Sequence, residues 1–521
     1  MGASIAFEVD GRAVEVPDDG ASLLEALRDR LGVRSPKDGC SPQGQCGCCT
    51  VLVDGAPRVA CVTPVRRVAG RAVTTVEGLS EDDQVRWSEA FCATGASQCG
   101  FCTPGIIVRL AGLAARAPRA DRHAVERALA AHLCRCTGWR TILDAWDLAV
   151  VTAGRSRASD RSLEAAEARA ALEGGTHQAV GPAVALGGGG FADDTAPPDA
   201  LVAVPDGAGG WAVAETLAEA RTAAGKVQGR RSTVELRHPV AVPEGAWDLT
   251  LRTTWLEPAY LETDASWCEP GGEPATPLAN GGAFGAKLAS PAPAAARRLA
   301  AEHGRTVRVL LSREDCVRLG PKRPPLAAGI RSDATGTVHV ARTPGVATAI
   351  ASVAPGLEVV EVDVVGPPTS ADLRAAGWGE ALVLLAAAAG QRPVTVTTPS
   401  GATAIAQVDD DAVRVRVDCG EPLDEVVLRS YCTGAAHMAL GWVRSEGIAV
   451  DQAGLVHDLT VRSFGVLRAQ ETPPVEIEVV ASDAPPVNGS DAVFVAVAAA
   501  EWIRQGCPQD WPTGTTPRRR A

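Results

Sequence analysis

Gly39-Cys40-Ser41-Pro42-Gln43-Gly44-Gln45-Cys46-Gly47-Cys48-Cys49-Thr50 crowds four thiols onto one glycine-rich loop, and Cys61 follows twelve residues after Cys49. A second group, Cys99-Gly100-Phe101-Cys102, is closed by Cys134-Arg135-Cys136. Ten of the fifteen cysteines lie within the first 136 residues, and eight of them fall as two quartets. Four thiolates converging on one point bind a [2Fe–2S] cluster, so two quartets predict two clusters and an N-terminal third built for electron transfer. Zinc also takes four thiolates, usually from two well-separated Cys-x-x-Cys pairs. Here the loop spacing is one residue longer than the plant-type Cys-x4-Cys-x2-Cys pattern. Glycines let such a loop fold over a cluster with its N–H groups aimed at the sulfurs. A disulfide framework is not needed by a chain of this length.

The chain has 521 residues, 46% hydrophobic and 21% charged, which predicts several globular domains. Its net charge of −12 argues against nucleic acid as a partner, since phosphate binding wants a basic face. The basic run Arg518-Arg519-Arg520 reads as a solvated end. No targeting segment is visible at Met1–Asp10, and the longest apolar runs, 381–389 and 492–500, are half of what a membrane span needs. Free thiols and this absence predict a cytoplasmic, reducing location without membrane contact.

Alternation over residues 4–16 predicts a β-hairpin turning at Asp10-Gly11, and Thr50–Val53 with Val59–Val62 a second one turning at Asp54-Gly55. Ser22–Leu31 reads as a helix between them. Helical segments follow at 82–93, 103–115, 121–133 and 139–152, with Cys102 placed at a helix N-terminus that favours a negatively charged cluster. Residues 154–177 read as a linker, part of it a solvated helix, and Gly187–Gly190 as a flexible joint. Beyond 190 the pattern is α+β, with strands at 200–204, 307–311, 359–365 and 413–417 and helices at 294–303 and 491–505. Ser312-Arg313-Glu314-Asp315 reads as a strand end leading into a solvated turn. Cys268, Cys316, Cys419, Cys432 and Cys507 have no metal spacing and read as buried thiols.

The cysteine region resembles the iron–sulfur subunit of the molybdenum hydroxylases, the family of xanthine dehydrogenase, aldehyde oxidase and aerobic carbon monoxide dehydrogenase. The motifs that carry the resemblance are Gly39–Val51, Gln98-Cys99-Gly100-Phe101-Cys102-Thr103-Pro104-Gly105 and Leu133-Cys134-Arg135-Cys136-Thr137-Gly138-Trp139-Arg140, within a match over residues 3–153. The resemblance implies that Cys40, Cys46, Cys49 and Cys61 hold an outer, ferredoxin-type cluster. It implies that Cys99, Cys102, Cys134 and Cys136 hold an inner one, with Gln98 touching a molybdopterin beside it. Cys48 stands where the family has a small residue, and is read as a non-ligand.

The remainder is similar, more thinly, to the family's molybdenum subunit. Gly281-Gly282-Ala283-Phe284-Gly285-Ala286-Lys287 looks like the loop that lies against the metal's oxo ligand; the plain alternative is a glycine-rich turn. Arg374-Ala375-Ala376-Gly377 resembles a cofactor loop, its alternative an ordinary exposed arginine. Val417–Gly420 and Met438–Trp442 resemble the C-terminal section. Asp491, after Asn488-Gly489-Ser490, occupies the place of the family's catalytic glutamate, a base on a metal-bound hydroxyl; the competing reading is a helix cap. Cofactor contacts are thus expected from Gln98, Gly282, Phe284, Gly285 and Arg374. The chain departs from the pattern in three ways: no Gly-Gln-Gly cofactor loop, Met438 where a cofactor-contacting glutamine is expected, and no flavin motif.

The resemblance therefore implies an α+β multidomain chain. A plant-type [2Fe–2S] ferredoxin-like β-grasp domain would span 1–78 and a four-helix [2Fe–2S]-binding domain 79–153. After the linker at 154–177, a shortened molybdopterin-binding-like oxidoreductase region would span 178–515. Its expected activity is oxidative hydroxylation of a small substrate, with electrons passed through two [2Fe–2S] clusters to a separate FAD subunit or another acceptor, in a homo- or hetero-oligomer. The alternative is an electron-transfer protein whose C-terminal region has lost the molybdenum–molybdopterin site and serves docking. Substrate and acceptor are not written in these residues.

Overall fold

The computed structural model describes residues 4–152, 161–225, 234–277 and 282–514. Strand Ser4–Val9 buries Ile5, Phe7 and Val9 on one face and pairs antiparallel with Arg12–Pro17. Thr50–Val53 and Ala56–Val59 form the second hairpin. The short strand Ala72–Thr74 joins the two hairpins, parallel to the first strand and antiparallel to Thr50–Val53. The segment read as a helix from Ser22 forms as Leu23–Glu25, capped by the Ser22 hydroxyl, and runs on as one wide turn, Ala26–Arg30. Its Leu23, Leu24 and Leu27 share one core with Ile5, Phe7, Val51 and Val73 of the sheet. Five strands and one helix make a β-grasp unit whose cysteine loop hangs before Thr50.

Helices Glu81–Thr94, Thr103–Arg116, Arg122–Ala128 and Arg140–Trp146 follow. The third stops earlier than its periodicity predicts, in a tight turn at Leu129–Ala131. The chain must leave the helix there, because Leu133 N donates to Cys46 O at 2.9 Å and so lays the second cysteine group on the first.

The second half holds three further sheets. Trp211–Ala214, Leu201–Pro205, Val307–Leu310 and Ala265–Cys268 form one. Leu357–Val362, Gly336–Ala341, Leu326–Ile330, Leu249–Thr253 and Asp510–Trp511 form the next. Val394–Thr397, Thr403–Val408, Val413–Asp418 and Val475–Val480 form the last. Helices Glu425–Arg444 and Ser490–Arg504 pack on each other, and the second covers the last sheet. Trp255, Leu261, Val317, Ile448, Val461 and Phe464 of this half belong to the same core as the cluster domains. The interface also carries charge: Arg28 is fully buried and pairs with Asp193 at 2.7 Å and Asp194 at 2.8 Å, and Lys37 pairs with Asp194.

Three expectations need correction. The stretch read as a linker contains helix Leu163–Gly174, and it is not solvated. Its Arg169 is wholly buried, donating to Pro422 O at 2.9 Å and Val487 O at 2.9 Å, and Glu173 is buried beside it at 3.1 Å. Residues 154–160 of that stretch lie outside the described residues. Gly187 is not a free joint: it packs on Ser35, and its carbonyl accepts from Lys37 Nζ at 3.1 Å. Ser312–Asp315 is a capping box that opens helix Arg313–Leu319, with Ser312 Oγ accepting from Asp315 N at 3.2 Å and Asp315 Oδ2 from Ser312 N at 2.9 Å. A serine followed three residues later by an acid carries that signal, and the charged pair Arg313-Glu314 between them masked it. Ser312→Ala is expected to lower stability by about 1 kcal/mol, read as a shift of the urea midpoint at constant slope.

Candidate functional site

The outer loop brings four buried sulfurs together. Cys40 interacts with Cys46 and Cys61, and Cys61 with Cys49. Hydrogen bonds with Cys46 and Cys61 hold the Cys40 thiol well below its ordinary range. Gln43 N donates to Cys40 Sγ at 3.1 Å and Cys61 N to Cys49 Sγ at 3.4 Å. Backbone N–H groups aimed at sulfur stabilise thiolate over thiol. Glycine is required at Gly47, where φ is +74° and a Cβ would lie 2.6 Å from the His132 ring. His132 is buried, its pKa pushed down to about 3 by desolvation, and its Nε2 meets Thr50 Oγ1 at 3.1 Å.

The second quartet is equally enclosed. Cys99 Sγ and Cys136 Sγ are 3.6 Å apart, and Cys102 faces Cys134. The hydrogen bond from Cys102, aided by Thr137 Oγ1 at 3.2 Å, draws the Cys134 thiol down to about 6 against the opposing effect of burial. Cys102 caps helix Thr103–Arg116, with Pro104 in its first turn, as the sequence predicts. Both quartets supply the donor set of a [2Fe–2S] cluster, four sulfurs in a dry, glycine-lined cradle. The Cys48 thiol is wholly buried between them. Its charge partners are Cys40 and Cys49 on one side and Cys134 on the other.

The residues expected around a molybdopterin are satisfied by one another. Gln98 Nε2 donates to Cys136 O at 3.0 Å and to Ser430 Oγ at 2.8 Å. Arg374 Nε meets Asp491 Oδ1 at 2.8 Å, Nη2 meets Ser490 Oγ at 2.7 Å, and Nη1 meets Met438 Sδ at 3.5 Å. The Arg374 guanidinium also sits 3.6 Å from the centre of the Phe284 ring. It is therefore buried, not an ordinary surface arginine. Of the glycine loop, Gly281 lies outside the described residues. Gly282 presses on the inner cysteine loop, where a Cβ would lie 2.8 Å from Arg135 Cβ and 3.4 Å from Cys136 Sγ. Gly285, at φ +98°, packs against the Asp372 carbonyl. Asp491 does not cap its helix: Asn488 Oδ1 accepts from Asp491 N at 3.0 Å, and Glu173 accepts from Gly489 N at 3.0 Å and Ser490 N at 2.9 Å.

The sequence reading missed several buried ion pairs, two of which border this space. Arg135, between Cys134 and Cys136, forms a two-pronged pair with Glu446 at 2.7 and 2.8 Å, both side chains buried. Arg323 pairs with Glu380, Lys287 with Glu262 and Lys322 with Glu257, all buried. These partners lie tens to hundreds of residues apart, so no local pattern announces them. The space enclosed by Arg135, Gly282, Phe284, Arg374, Met438 and Glu446 measures about 30 Å³. Sites for cofactor-sized ligands enclose about 300–1,000 Å³. A second hollow, about 160 Å³, opens beside Phe284, Arg374, Asn488 and Asp491. Among the described residues, neither space is large enough for a molybdopterin as the side chains stand.

Comparison with known proteins agrees with the cysteine geometry. Residues 7–66 match the model of the 2Fe-2S iron-sulfur cluster binding domain, and 75–147 that of the [2Fe-2S] binding domain. The nicotine 6-hydroxylase small subunit of Paenarthrobacter nicotinovorans is 39% identical over 142 residues, which are 27% of this chain and 86% of that protein. The chain belongs to the molybdenum hydroxylase family. Aldehyde oxidoreductase of Megalodesulfovibrio gigas is 40% identical over 148 residues, 27% of this chain. That stretch is only 16% of the relative's length. The solved aldehyde oxidoreductase from Desulfovibrio gigas superposes with a TM-score of 0.70 over 96% of this chain and 97% of that one, at 15% identity. This molybdenum hydroxylase family member therefore shares the fold of that protein through both halves, while its sequence match to either curated relative spans 27% of the chain. Among the described residues no helix is long and apolar enough to cross a membrane.

Proposed function

We propose that this chain is a two-cluster iron–sulfur electron-transfer protein of the molybdenum hydroxylase family, whose second half encloses and conditions the clusters without holding a molybdopterin. The observation that carries this reading is the filled space beside the inner quartet, where Gly282 and the Arg135–Glu446 pair stand against Cys136. Cys40, Cys46, Cys49 and Cys61 would hold the outer cluster, and Cys99, Cys102, Cys134 and Cys136 the inner. Such centres change by one electron at a time. The hydrogen bond from Leu133 N to Cys46 O links a ligand of one cluster to the residue preceding a ligand of the other, a short route for an electron. The electron partner is then a separate protein, a flavoprotein or another acceptor; a relative named as a small subunit supports a separate partner.

The second reading is a hydroxylase in which Asp491 acts as base and Gln98, Gly282, Phe284, Gly285 and Arg374 hold a molybdopterin. The 160 Å³ hollow at Asp491 favours it. Metal analysis of protein purified anaerobically from a molybdate-fed host separates the two. The expected result is about four irons per chain and molybdenum far below one. Molybdenum near one per chain, with clusters reduced by added substrate, would establish the hydroxylase instead.

A further inference from the structure

Arg313 opens helix Arg313–Leu319 and is fully buried. Its Nη2 donates to Gly39 O at 2.9 Å and Leu261 O at 2.9 Å, so the guanidinium touches the residue before Cys40. Its Nη1 is buried with no hydrogen-bond partner, and among the described residues no carboxylate pairs with it. A buried cation without an anion is costly, so its counter-charge must be sought. Among the groups able to carry negative charge that act on it are Cys316, Tyr260 and Glu257. Burial pushes the Cys316 thiol up to about 12 and raises Tyr260 as well, so both stay neutral. Glu257 is already paired with Lys322 at 2.9 Å. What the guanidinium does hold is the outer cysteine loop itself, through the Gly39 carbonyl beside ligand position Cys40.

Arg462, also from the second half, repeats the pattern at the rim. It is exposed, its Nε donates to Gln45 O at 3.0 Å, and Cys46 and Cys40 act on it. Among the described residues the inner quartet shows no such surplus. Arg135, the cation inside its loop, is neutralised by both oxygens of Glu446.

We propose that Arg313, with Arg462 at the rim, is a built-in counter-charge for the outer cluster, raising its reduction potential above that of the inner cluster. The charge balance gives the sign. Four thiolates, two sulfides and two ferric ions sum to a double negative charge, and one-electron reduction makes it triple. A fixed cation nearby favours the more negative form. The proposal rests on the reading of the two quartets as clusters, and it gives the second half a role that needs no chemistry of its own.

The test is a redox titration of the full-length holoprotein followed by electron paramagnetic resonance, with the outer signal identified as the one altered by Cys61→Ser. Arg313→Gln is expected to lower the equilibrium constant for reducing the outer cluster about tenfold or more, which is 59 mV for a one-electron couple, with the inner signal unmoved. Arg313→Lys, which keeps the charge, should restore most of the shift. An outer potential unchanged in an iron-replete Arg313→Gln protein overturns the proposal. Should that variant fail to fold, Arg462→Gln decides: a smaller fall in the same direction that fades with added salt supports the proposal, and no fall at low salt overturns it. A wild-type protein without iron would sink the cluster reading itself, and this proposal with it.

Discussion

Replacing Gly434 by Ala is expected to strip the inner cluster, taking iron from about four to about two per chain. In an exposed helix interior this exchange would stabilise by roughly 1 kcal/mol. Gly434 is instead in the middle of Glu425–Arg444, against the inner cysteine loop, and a Cβ there would fall inside the Cys136 carbonyl oxygen. The contact is backbone on both sides, so no side chain can swing away. The loop presses the helix twice, because a Cβ on Gly138 would lie 2.6 Å from Thr433 O. Gly138 sits at φ +63°, so the loop is already committed to a left-handed turn there. The easiest relief is to lift Cys136 and Thr137 off the helix, which separates Cys136 from its 3.6 Å approach to Cys99. Overpacking of this kind costs about 1–3 kcal/mol, so the fold should survive with a lower melting temperature. Iron per chain and the inner resonance signal are the readouts. Full iron with an unshifted melt would mean that the loop yields without losing its ligand geometry.

The cluster domains were legible because their signals are local. Cysteine spacing, the Asp10-Gly11 and Asp54-Gly55 turns and the alternation of Ile5, Phe7 and Val9 are short-range signals, and the structure turns both hairpins where the sequence places them. The last strand, however, runs Ala56–Val59, and Ala60–Val62, expected as its end, is a tight turn. The second half is held differently. Glu173 reaches Gly489 and Ser490 from more than three hundred residues away, and Arg135 reaches Glu446 across a similar span. A charged residue in a sequence reads as solvated, since Asp, Glu, Lys and Arg are almost never buried unless paired. That rule failed at Arg169, Arg313 and Glu314, all buried. Arg169 also meets the distant Pro422 and Val487 carbonyls, Arg313 the Gly39 and Leu261 carbonyls, and Glu314 accepts from Gln43 Nε2 at 3.0 Å, contacts that only the tertiary fold supplies. Asp491 shows the same limit from the other side. Its position matched a motif, but its carboxylate faces Arg374, and this is set by Phe284 and Ser490 holding that arginine in place.

Glu446→Ala is expected to cost about 3–5 kcal/mol, a large share of the 5–15 kcal/mol that holds a typical domain folded. Arg135 would be left with its charge buried among Gly282, Phe284 and Met438, keeping the Pro258 carbonyl at 2.9 Å as an acceptor but no anion. The main-chain position of Arg135 between Cys134 and Cys136 transmits any displacement straight to the inner quartet. The single variant should therefore lose stability and inner-cluster iron together, measured by urea unfolding and iron assay. Glu446→Gln keeps the shape and one acceptor and should fall between. The double variant Arg135→Met with Glu446→Leu removes both charges and refills the volume. Such exchanges are often neutral or stabilising by about 1–4 kcal/mol. A double variant as stable as the wild type, with both clusters intact, would show that the space beside the inner quartet must be filled but need not be charged. A double variant that folds yet loses the inner cluster would instead make the ion pair itself the support that holds Cys134 and Cys136 at their metal.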